Sequence, residues 1–575
     1  MAEVFDFIVV GAGASGCVIA SRLAQSPARS SVLLVEAGGP NEDAAHLTGA
    51  ERYEVAFREG SPLNWAYKTE PQWNGQQIDY SRGKGLGGST AINFCGWVVG
   101  SSEDYDEWAR LVGDESFGWE NAQRCLRQIE NFHNDVPAAF QGRIVPNSDD
   151  HGMGGAVDLS YQDEWLSTTH DVFKAAEEVG FGINPDVNNG SPIGMGIGTA
   201  CIYKGVRVTS ASAYLSGAPA NLTIATDAMV QRVLSEDNAA VGVQLASGPR
   251  YRARKEVIIS GGAINSPQLL LLSGVGPEEE LRRHGIPRVL DLSQVGRNLQ
   301  DHCFSTAGIV IKKGSDRMLK QSPSPMGWFR LPAVLDSEEF QALPLQTQTY
   351  LRRPLVPSWE MATHTPFFGD IEVADDEEVF SAICLAMNPQ SRGTVTLKSA
   401  DPKEAPVIDP EFLTHPFDRR TAIEGMREML RFFQAPVWKQ KTVRTVSWPR
   451  DDSDSAIWAT QDAFSSGLRS SWHMSGTVRM GHNAQEACVD SSFKIIGMQN
   501  LRVADMSVCP LIPKYVLDYM NMINSKRPSQ PKANKASNHT QSTAYVIGEI
   551  AADKIMAEHG LDQAWPAGQM KRSTL

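Results

Sequence analysis

The strongest constraint on the fold is a glycine-rich turn that follows an apolar run near the N-terminus. Residues 4–10 are apolar and β-rich without a helical period, as expected of a buried parallel strand. Gly11, Gly13 and Gly16 follow at once, and residues 17–24 have the composition of a helix. Glycines at this spacing let the backbone turn tightly and approach a pyrophosphate at the helix N-terminus.

A second strand and an acidic residue complete this unit. Residues 32–35 form another apolar run, which ends at Glu36. A carboxylate at this distance from the glycines can accept hydrogen bonds from the ribose hydroxyls of an adenosine. The ordered set predicts a Rossmann-like dinucleotide-binding domain. NAD and FAD both suit it, so these residues alone leave the choice open.

Length and charge narrow the class of protein. A chain of 575 residues is too long for one typical core and predicts two or more folding units. A net charge of −14 argues against nucleic acid as a partner, because phosphate binding needs a basic surface. No apolar run is long enough to span a bilayer, and no signal peptide is visible. We expect a cytoplasmic protein without a membrane partner; the weak C-terminal likeness of 573–575 to a peroxisomal address leaves that location open.

The cysteines predict no special chemistry. All eight are scattered, without a C-x-x-C pair. We expect reduced, buried side chains rather than a disulfide or zinc framework, and we predict no metal site.

Seven further segments decide the cofactor. Each segment contains a different motif, and the segments follow one another in this order along the chain: 82–93 with its continuation to 108, 261–277, 295–302, 388–397, 472–481, 501–510 and 538–545. Together they closely resemble the signatures of the glucose–methanol–choline (GMC) oxidoreductase family, over nearly the whole chain. The resemblance implies bound FAD.

The resemblance also implies which residues hold FAD. Residues 228–230 match the segment that meets the adenine in the family. Ile92 occupies the position of the histidine that links flavin covalently in some members; an isoleucine cannot form this link, so we expect non-covalent FAD. The implied cofactor contacts are Gly11, Gly13, Ala14, Ser15, Gly16, Glu36, Ala37, Arg82, Gly87, Gly88, Ser89, Asn93, Val230, Asp505, His539, Thr540 and Gln541.

Two histidines are the candidate catalytic residues. His473 matches the family's base, and His539 matches the second active-site position, which holds or polarises the substrate oxygen. An alcohol is too weak an acid to lose its proton at neutral pH, whereas a neutral imidazole within hydrogen-bonding reach can take it. The sequence does not decide which of the two accepts the proton. His302 lies in a motif but receives no role.

The main departure from the family is an insertion at 514–537, just before His539. Its first half is apolar and aromatic, and its second half is polar with two prolines, which favours a loop. The insertion is either a lid that selects substrate or an exposed loop, and we slightly favour the exposed loop. A sequence error such as a retained intron is a third interpretation.

The expected fold class is α/β (α+β): a Rossmann-like FAD-binding domain with a second, substrate domain built on a mainly antiparallel sheet. The first domain should span 1–310 discontinuously, with substrate-domain or cap insertions around 46–75 and 106–195. The substrate domain should span 311–469, including strands near 393–397 and an amphipathic helix over 421–433. Residues 470–575 should return to the FAD domain and carry both histidines.

The expected function is oxidation of a small alcohol, aromatic or pathway-specific, to the carbonyl. A histidine takes the proton, hydride passes to flavin N5, and O2 or another acceptor reoxidises the flavin. The alternative is a non-oxidising member of the same family, similar to a hydroxynitrile lyase or a fatty-acid photodecarboxylase. A third hypothesis is a flavin-bound interaction protein that docks a partner through 514–537. Oxidase and dehydrogenase are not separated by the sequence, and the oligomeric state is left open.

Overall fold

The computed structural model of the chain describes residues 3–42, 55–72, 75–162, 165–314, 323–365, 367, 371–462, 468–512 and 540–561. Its strands are, in chain order, β1 Glu3–Val10, β2 Val32–Val35, β3 Gly96–Trp97, β4 Glu130–His133, β5 Val157–Ser160, β6 Gly194–Gly196, β7 Thr199–Ala200, β8 Ile202–Tyr203, β9 Val206–Arg207, β10 Leu222–Ala225, β11 Val230–Glu236, β12 Ala239–Leu245, β13 Arg250–Ile259, β14 Val275–Gly276, β15 Leu290–Asp291, β16 Cys303–Lys312, β17 Met326–Phe329, β18 Trp359–Thr363, β19 Glu377–Ala386, β20 Thr394–Thr396, β21 Val407–Asp409, β22 Thr442–Val446, β23 Arg469–Ser470 and β24 Leu501–Val503. Its α-helices are Ala14–Gln25, Ser102–Val112, Trp119–Ile129, Thr168–Glu178, Ser210–Tyr214, Gly262–Leu272, Glu278–Arg283, Pro332–Leu335, Glu338–Gln341, Leu345–Leu351, Pro416–Phe433, Pro436–Lys439, Asp454–Asp462 and Gln541–Glu558.

The first sheet is the dinucleotide-binding sheet, with strand order β10-β2-β1-β13-β12-β11. β10, β2, β1 and β13 run parallel, and β24 pairs in parallel with the last residues of β13. The helix Ala14–Gln25 packs on this sheet and against the C-terminal helix Gln541–Glu558. A Cβ on Gly548 would lie 2.8 Å from the Cβ of Val18, so these two helices approach closely because this position is glycine.

The second sheet has the order β17-β18-β19-β16-β22, with β23 also paired to β16, and every pairing in it is antiparallel. Trp359, Met361 and Phe380 pack on one face against the helix Pro416–Phe433. Residues of the opposite face, such as Trp328 and Leu385, belong to the core that includes the dinucleotide-binding sheet. The second sheet therefore lies against the first domain on one side and is covered by helices on the other.

The expected fold class is confirmed. The strand predicted at 4–10 and the helix predicted at 17–24 are Glu3–Val10 and Ala14–Gln25, and the helix predicted at 421–433 begins earlier, at Pro416. β16 crosses the boundary predicted at 310. The division into 1–310, 311–469 and 470–575 stays a prediction, and the insertion 514–537 and His539 lie outside the described residues.

All eight cysteines are buried and none forms a disulfide. Within the described residues, we find no helix with the length and apolar character needed to span a membrane.

Candidate active site

A deep cavity opens at the carboxyl ends of the parallel strands of the first sheet. It holds about 1340 Å³ of empty space, counting its open mouth. Its walls include residues that directly follow β1, β2 and β13, and Asp505, the second residue after β24. In open α/β sheets, ligands bind in the crevice outside the carboxyl ends of the strands. The cavity is therefore the candidate ligand site of the first domain.

Two glycine loops present bare backbone to this cavity. Gly13 caps the helix Ala14–Gln25, and a Cβ placed on it would meet nothing within 4 Å. Gly88 belongs to the second loop, where a Cβ would lie 2.8 Å from the Cα of Gly13. The N–H of Gly87, at φ +90°, donates to the carbonyl of Ala12 at 2.9 Å. The loops thus form a two-sided cradle that would admit a pyrophosphate against the helix N-terminus.

Glu36 lies at the cavity wall and is buried. Its carboxylate accepts hydrogen bonds from the N–H groups of Ala12, Gly38 and Gly85 at 2.9, 2.9 and 3.0 Å. Burial raises the pKa of Glu36 above its ordinary value, although these donors act in the opposite direction. The carboxylate is therefore fixed in place at the position predicted for ribose recognition.

Asp505 has a similar anchoring role at the other end of the cavity. Its carboxylate accepts from the N–H of Gly262 at 2.9 Å, the hydroxyl of Ser266 at 2.5 Å and the N–H of Ser507 at 2.7 Å. Burial raises its pKa against the effect of these donors. Asp505 thereby ties the turn after β24 to the start of the helix Gly262–Leu272, and both line the cavity.

A buried polar cluster joins the first signature to the C-terminal helix. The side chain of Asn93 donates to Gln541 at 2.6 Å and accepts from Arg207 at 2.8 Å. Gln541 also donates to the carbonyl of Gly96 at 3.0 Å, and Ser15 donates to the carbonyl of Ala544 at 2.6 Å. Asn93 and Gln541 therefore hold the cavity wall together as well as lining it.

Arg82 connects the first signature to the segment of the candidate base. Its guanidinium donates to the hydroxyl of Ser89 at 3.1 Å and to the carbonyl of Trp472 at 2.8 Å. Burial lowers the pKa of Arg82 to about 10, although the nearby Asp301 carboxylate raises it. The guanidinium still carries its charge at neutral pH, so the cavity wall holds a buried cation next to residues 472–474.

His473 is fully buried, directly before Met474, which lines the cavity. Its N–H donates to a carboxylate oxygen of Asp301 at 2.8 Å, and its ring contacts the ring of His302. Burial raises the pKa of Asp301 to about 7, although the Ser470 hydroxyl and other donors lower it. Residues 300–303 pair antiparallel with 470–475, which brings the two motifs together.

Most residues that the sequence assigned to the cofactor line this one cavity: Gly11, Gly13, Ala14, Ser15, Glu36, Ala37, Arg82, Gly88, Ser89, Asn93, Val230, Asp505, Thr540 and Gln541. Gly16 and Gly87 lie behind the lining; a Cβ on Gly16 would be 1.9 Å from the carbonyl oxygen of Gly11. His473 lies beside the lining, and His539 is outside the described residues.

The sequence did not assign several residues of the wall. Residues 261–265 and Gln268 belong to a recognised motif, and that motif was the available signal for them. Met474 and Met506 also lie in recognised motifs, directly after the assigned residues His473 and Asp505. No sequence signal pointed to Trp65, which stacks on Tyr67 at 5.7 Å between ring centroids.

Comparison with known proteins identifies the family. Two sequence profiles, both described as GMC oxidoreductase, match residues 5–304 and 389–517. The chain belongs to the GMC oxidoreductase family. It is therefore an oxidoreductase of a family that uses FAD, and the glycine cradle with the buried Glu36 and Asp505 fits that cofactor.

Curated GMC relatives match over nearly their full length. The chain is 33% identical over 564 residues to an uncharacterized GMC-type oxidoreductase of Mycobacterium bovis, covering 96% of this chain and 99% of the relative. It is 33% identical over 524 residues to an alcohol dehydrogenase [acceptor] of Pseudomonas putida, covering 88% and 91%. A solved structure of a formate oxidase variant from Aspergillus oryzae superposes with a TM-score of 0.83 at 27% identity, covering 97% of this chain and 99% of that one.

Proposed function

We propose that this GMC oxidoreductase oxidises a small alcohol, aromatic or pathway-specific, to the carbonyl compound. The observation that carries the proposal is the placement of the buried His473 segment at the edge of the cofactor cavity, held there by Arg82 and Asp301. An imidazole next to a flavin site is suited to taking the proton of a bound alcohol. The likeness to an alcohol dehydrogenase [acceptor] supports this substrate class.

The residues of the chain have separable tasks in this reaction. Bound FAD supplies the hydride acceptor. The two glycine loops, Glu36 and Asp505 hold the cofactor, and His473 takes the alcohol proton. Burial of the His473 side chain keeps bulk water away from the base, which strengthens its hydrogen bonds. His539 remains the proposed second active-site residue.

We further propose that FAD is held without a covalent bond. Ile92, at the position of the linking histidine, is buried against Ala56 and Ala91 and has no nucleophilic atom. Acid precipitation should therefore release the flavin into the supernatant. Flavin that stays with the precipitated protein would contradict this proposal.

The function is tested by adding primary, secondary and aromatic alcohols to the purified flavoprotein under anaerobic conditions and recording the visible spectrum. We expect the flavin bands to bleach with one class of alcohol, which names the substrate class. Readmitting air then distinguishes an oxidase, whose spectrum recovers at once, from an enzyme that needs another acceptor. Flavin bands that no alcohol bleaches would refute the proposal and favour the lyase or photodecarboxylase alternative.

A further inference from the structure

His302 contacts the candidate base through one hydrogen bond and a backbone carbonyl through another. Its Nδ1 lies 2.9 Å from Nδ1 of His473, and its Nε2 lies 3.2 Å from the carbonyl oxygen of Met387. The two rings are nearly perpendicular, at 89°, and both residues are fully buried. The pair is therefore held in one arrangement by the surrounding core.

These contacts determine where the ring protons lie. A carbonyl oxygen only accepts hydrogen bonds, so Nε2 of His302 carries a hydrogen. In a neutral imidazole the other nitrogen is then an acceptor, so Nδ1 of His302 has the lone pair. The hydrogen shared between the rings must come from Nδ1 of His473. Neutral His473 is left with its lone pair on Nε2.

We propose that His302 is a positioning residue that fixes the tautomer of His473, so that Nε2 of His473 is the atom that takes the alcohol proton. The role as base rests on the proposed function, whereas the tautomer rests on the contacts alone. The alcohol O–H bond breaks and an N–H bond forms at Nε2, while the electron pair leaves the carbon with the hydride. His473 then carries a positive charge, and its Nδ1–H continues to donate to His302.

A neutral partner differs from the carboxylate that orients the histidine in many hydrolases. A carboxylate at the ring would favour the imidazolium by charge attraction and raise the pKa of the base. Here the Asp301 carboxylate receives the backbone N–H of His473. His302 thus orients the ring without a full negative charge on it.

The first test is the tautomer in the wild-type holoenzyme. The protein is labelled with 15N-histidine, and the ring nitrogens of His473 are assigned by their loss in His473→Gln. We expect a pyrrole-type signal for Nδ1 and a pyridine-type signal for Nε2 when the ring is neutral. The reverse assignment would overturn the proposal, and this measurement does not depend on any His302 variant folding.

The second test compares three substitutions at 302 by anaerobic flavin reduction with the alcohol that bleaches the wild type. His302→Leu removes the acceptor and should lower the limiting reduction rate about 10- to 100-fold, part of the contribution of a general base, with little change in substrate dissociation constant. His302→Asn keeps an acceptor near the Nδ1 position and should recover most of that loss. His482→Asn, at an exposed histidine beside the 472–481 motif, is the matched control and should reduce at the wild-type rate.

His302→Asp gives a readout that a merely structural residue would not change. Reduction requires the unprotonated base, so its rate rises with pH through the pKa of His473. A carboxylate at 302 raises that pKa, and the acidic limb of the pH profile should move to higher pH. Tyr80 and Arg82, which interact with Asp301, are the same in all variants. Asp301 itself has a pKa of about 7, so the 15N signals of His473, followed across the same pH range, assign the limb to the His473 ring.

The outcomes separate the two proposals. Wild-type rates and an unmoved limb in His302→Leu and His302→Asp would refute the role of His302 while alcohol oxidation stands. Flavin that no alcohol bleaches, together with the expected tautomer, would refute the proposed function and leave the hydrogen-bond arrangement intact.

Discussion

Two of the three glycines of the N-terminal turn, Gly13 and Gly16, should differ in what they contribute, and alanine at each of these positions tests this. At Gly13 a Cβ meets no atom within 4 Å and points into open space beside the cavity, and the residue has φ −80° and ψ −166°, which alanine adopts without strain. Gly13→Ala should leave the free energy of unfolding unchanged or raise it by up to about 1 kcal/mol, because alanine has less conformational freedom than glycine in the unfolded chain.

At Gly16 a Cβ would lie 1.9 Å from the carbonyl oxygen of Gly11 and 3.2 Å from the Cβ of Ser260. The backbone must move to admit this Cβ, so Gly16→Ala should lower the free energy of unfolding by about 1–3 kcal/mol, the usual cost of overpacking. The methyl group of Gly13→Ala should also intrude where the pyrophosphate approaches, and a misfit of about 1–3 kcal/mol weakens FAD binding about 5- to 150-fold.

Urea unfolding of the flavin-free proteins measures the first quantity, and quenching of FAD fluorescence on titration measures the second. We expect the free energy of unfolding to fall in Gly16→Ala but not in Gly13→Ala, and FAD binding to weaken in Gly13→Ala. Equal destabilisation by both substitutions, or wild-type FAD affinity in Gly13→Ala, would refute the assignment of Gly13 to the cofactor and Gly16 to packing.

Two further substitutions address chemistry and pH. His473→Ala should retain FAD but reduce flavin about 10²- to 10⁴-fold more slowly, as expected on loss of a general base; a near-normal rate in anaerobic stopped flow would exclude His473. Burial alone would lower the pKa of His151, but Asp186 and Glu130 outweigh it and raise the pKa from 6.5 to about 9. The raised pKa stabilises the folded protein by about 3 kcal/mol; this stabilisation is complete below pH 6.5 and is lost as the pH rises through about 9. The difference in unfolding free energy between wild type and His151→Gln should therefore shrink across that window in urea titrations. A constant difference would contradict the prediction.

The sequence predicted elements best where one local signal was sufficient. The strand at 32–35 is observed with those bounds, and its four apolar residues, which lie between Ser31 and Glu36, are all buried. The helix after the glycines begins at Ala14 rather than at 17, since Gly13 serves as its cap and the following Ala-Ser-Gly is already helical. Local composition does not contain this information, whereas the hydrogen bond from the N–H of Cys17 to the carbonyl of Gly13 at 3.0 Å shows it.

The site was predictable as far as motifs reach. Glu36 could be assigned by its position after a strand and Asp505 by the family resemblance, but their hydrogen bonds to backbone N–H groups from distant segments could not be predicted. Trp65 lines the cavity only because the chain returns there, which no local pattern records. The contact of His302 with His473 joins residues 171 positions apart and depends on the pairing of 300–303 with 470–475.

Cofactor binding and catalysis depend on different kinds of contact in this chain. The glycine cradle is held by backbone hydrogen bonds and close packing, so substitutions there act through steric fit. The base is held by buried polar side chains, Asp301 on its backbone and His302 on its ring, so substitutions there act through proton position. Variants at 302 should therefore change the rate and pH dependence of flavin reduction while FAD content stays constant, and variants at 13 should change FAD content while the pH limb of the remaining holoenzyme stays where it is. If both classes of variant changed both FAD content and the pH dependence of reduction, the cradle and the base would have to be coupled. Arg82, which donates to Ser89 on one side and to the carbonyl of Trp472 on the other, is the contact through which that coupling would pass.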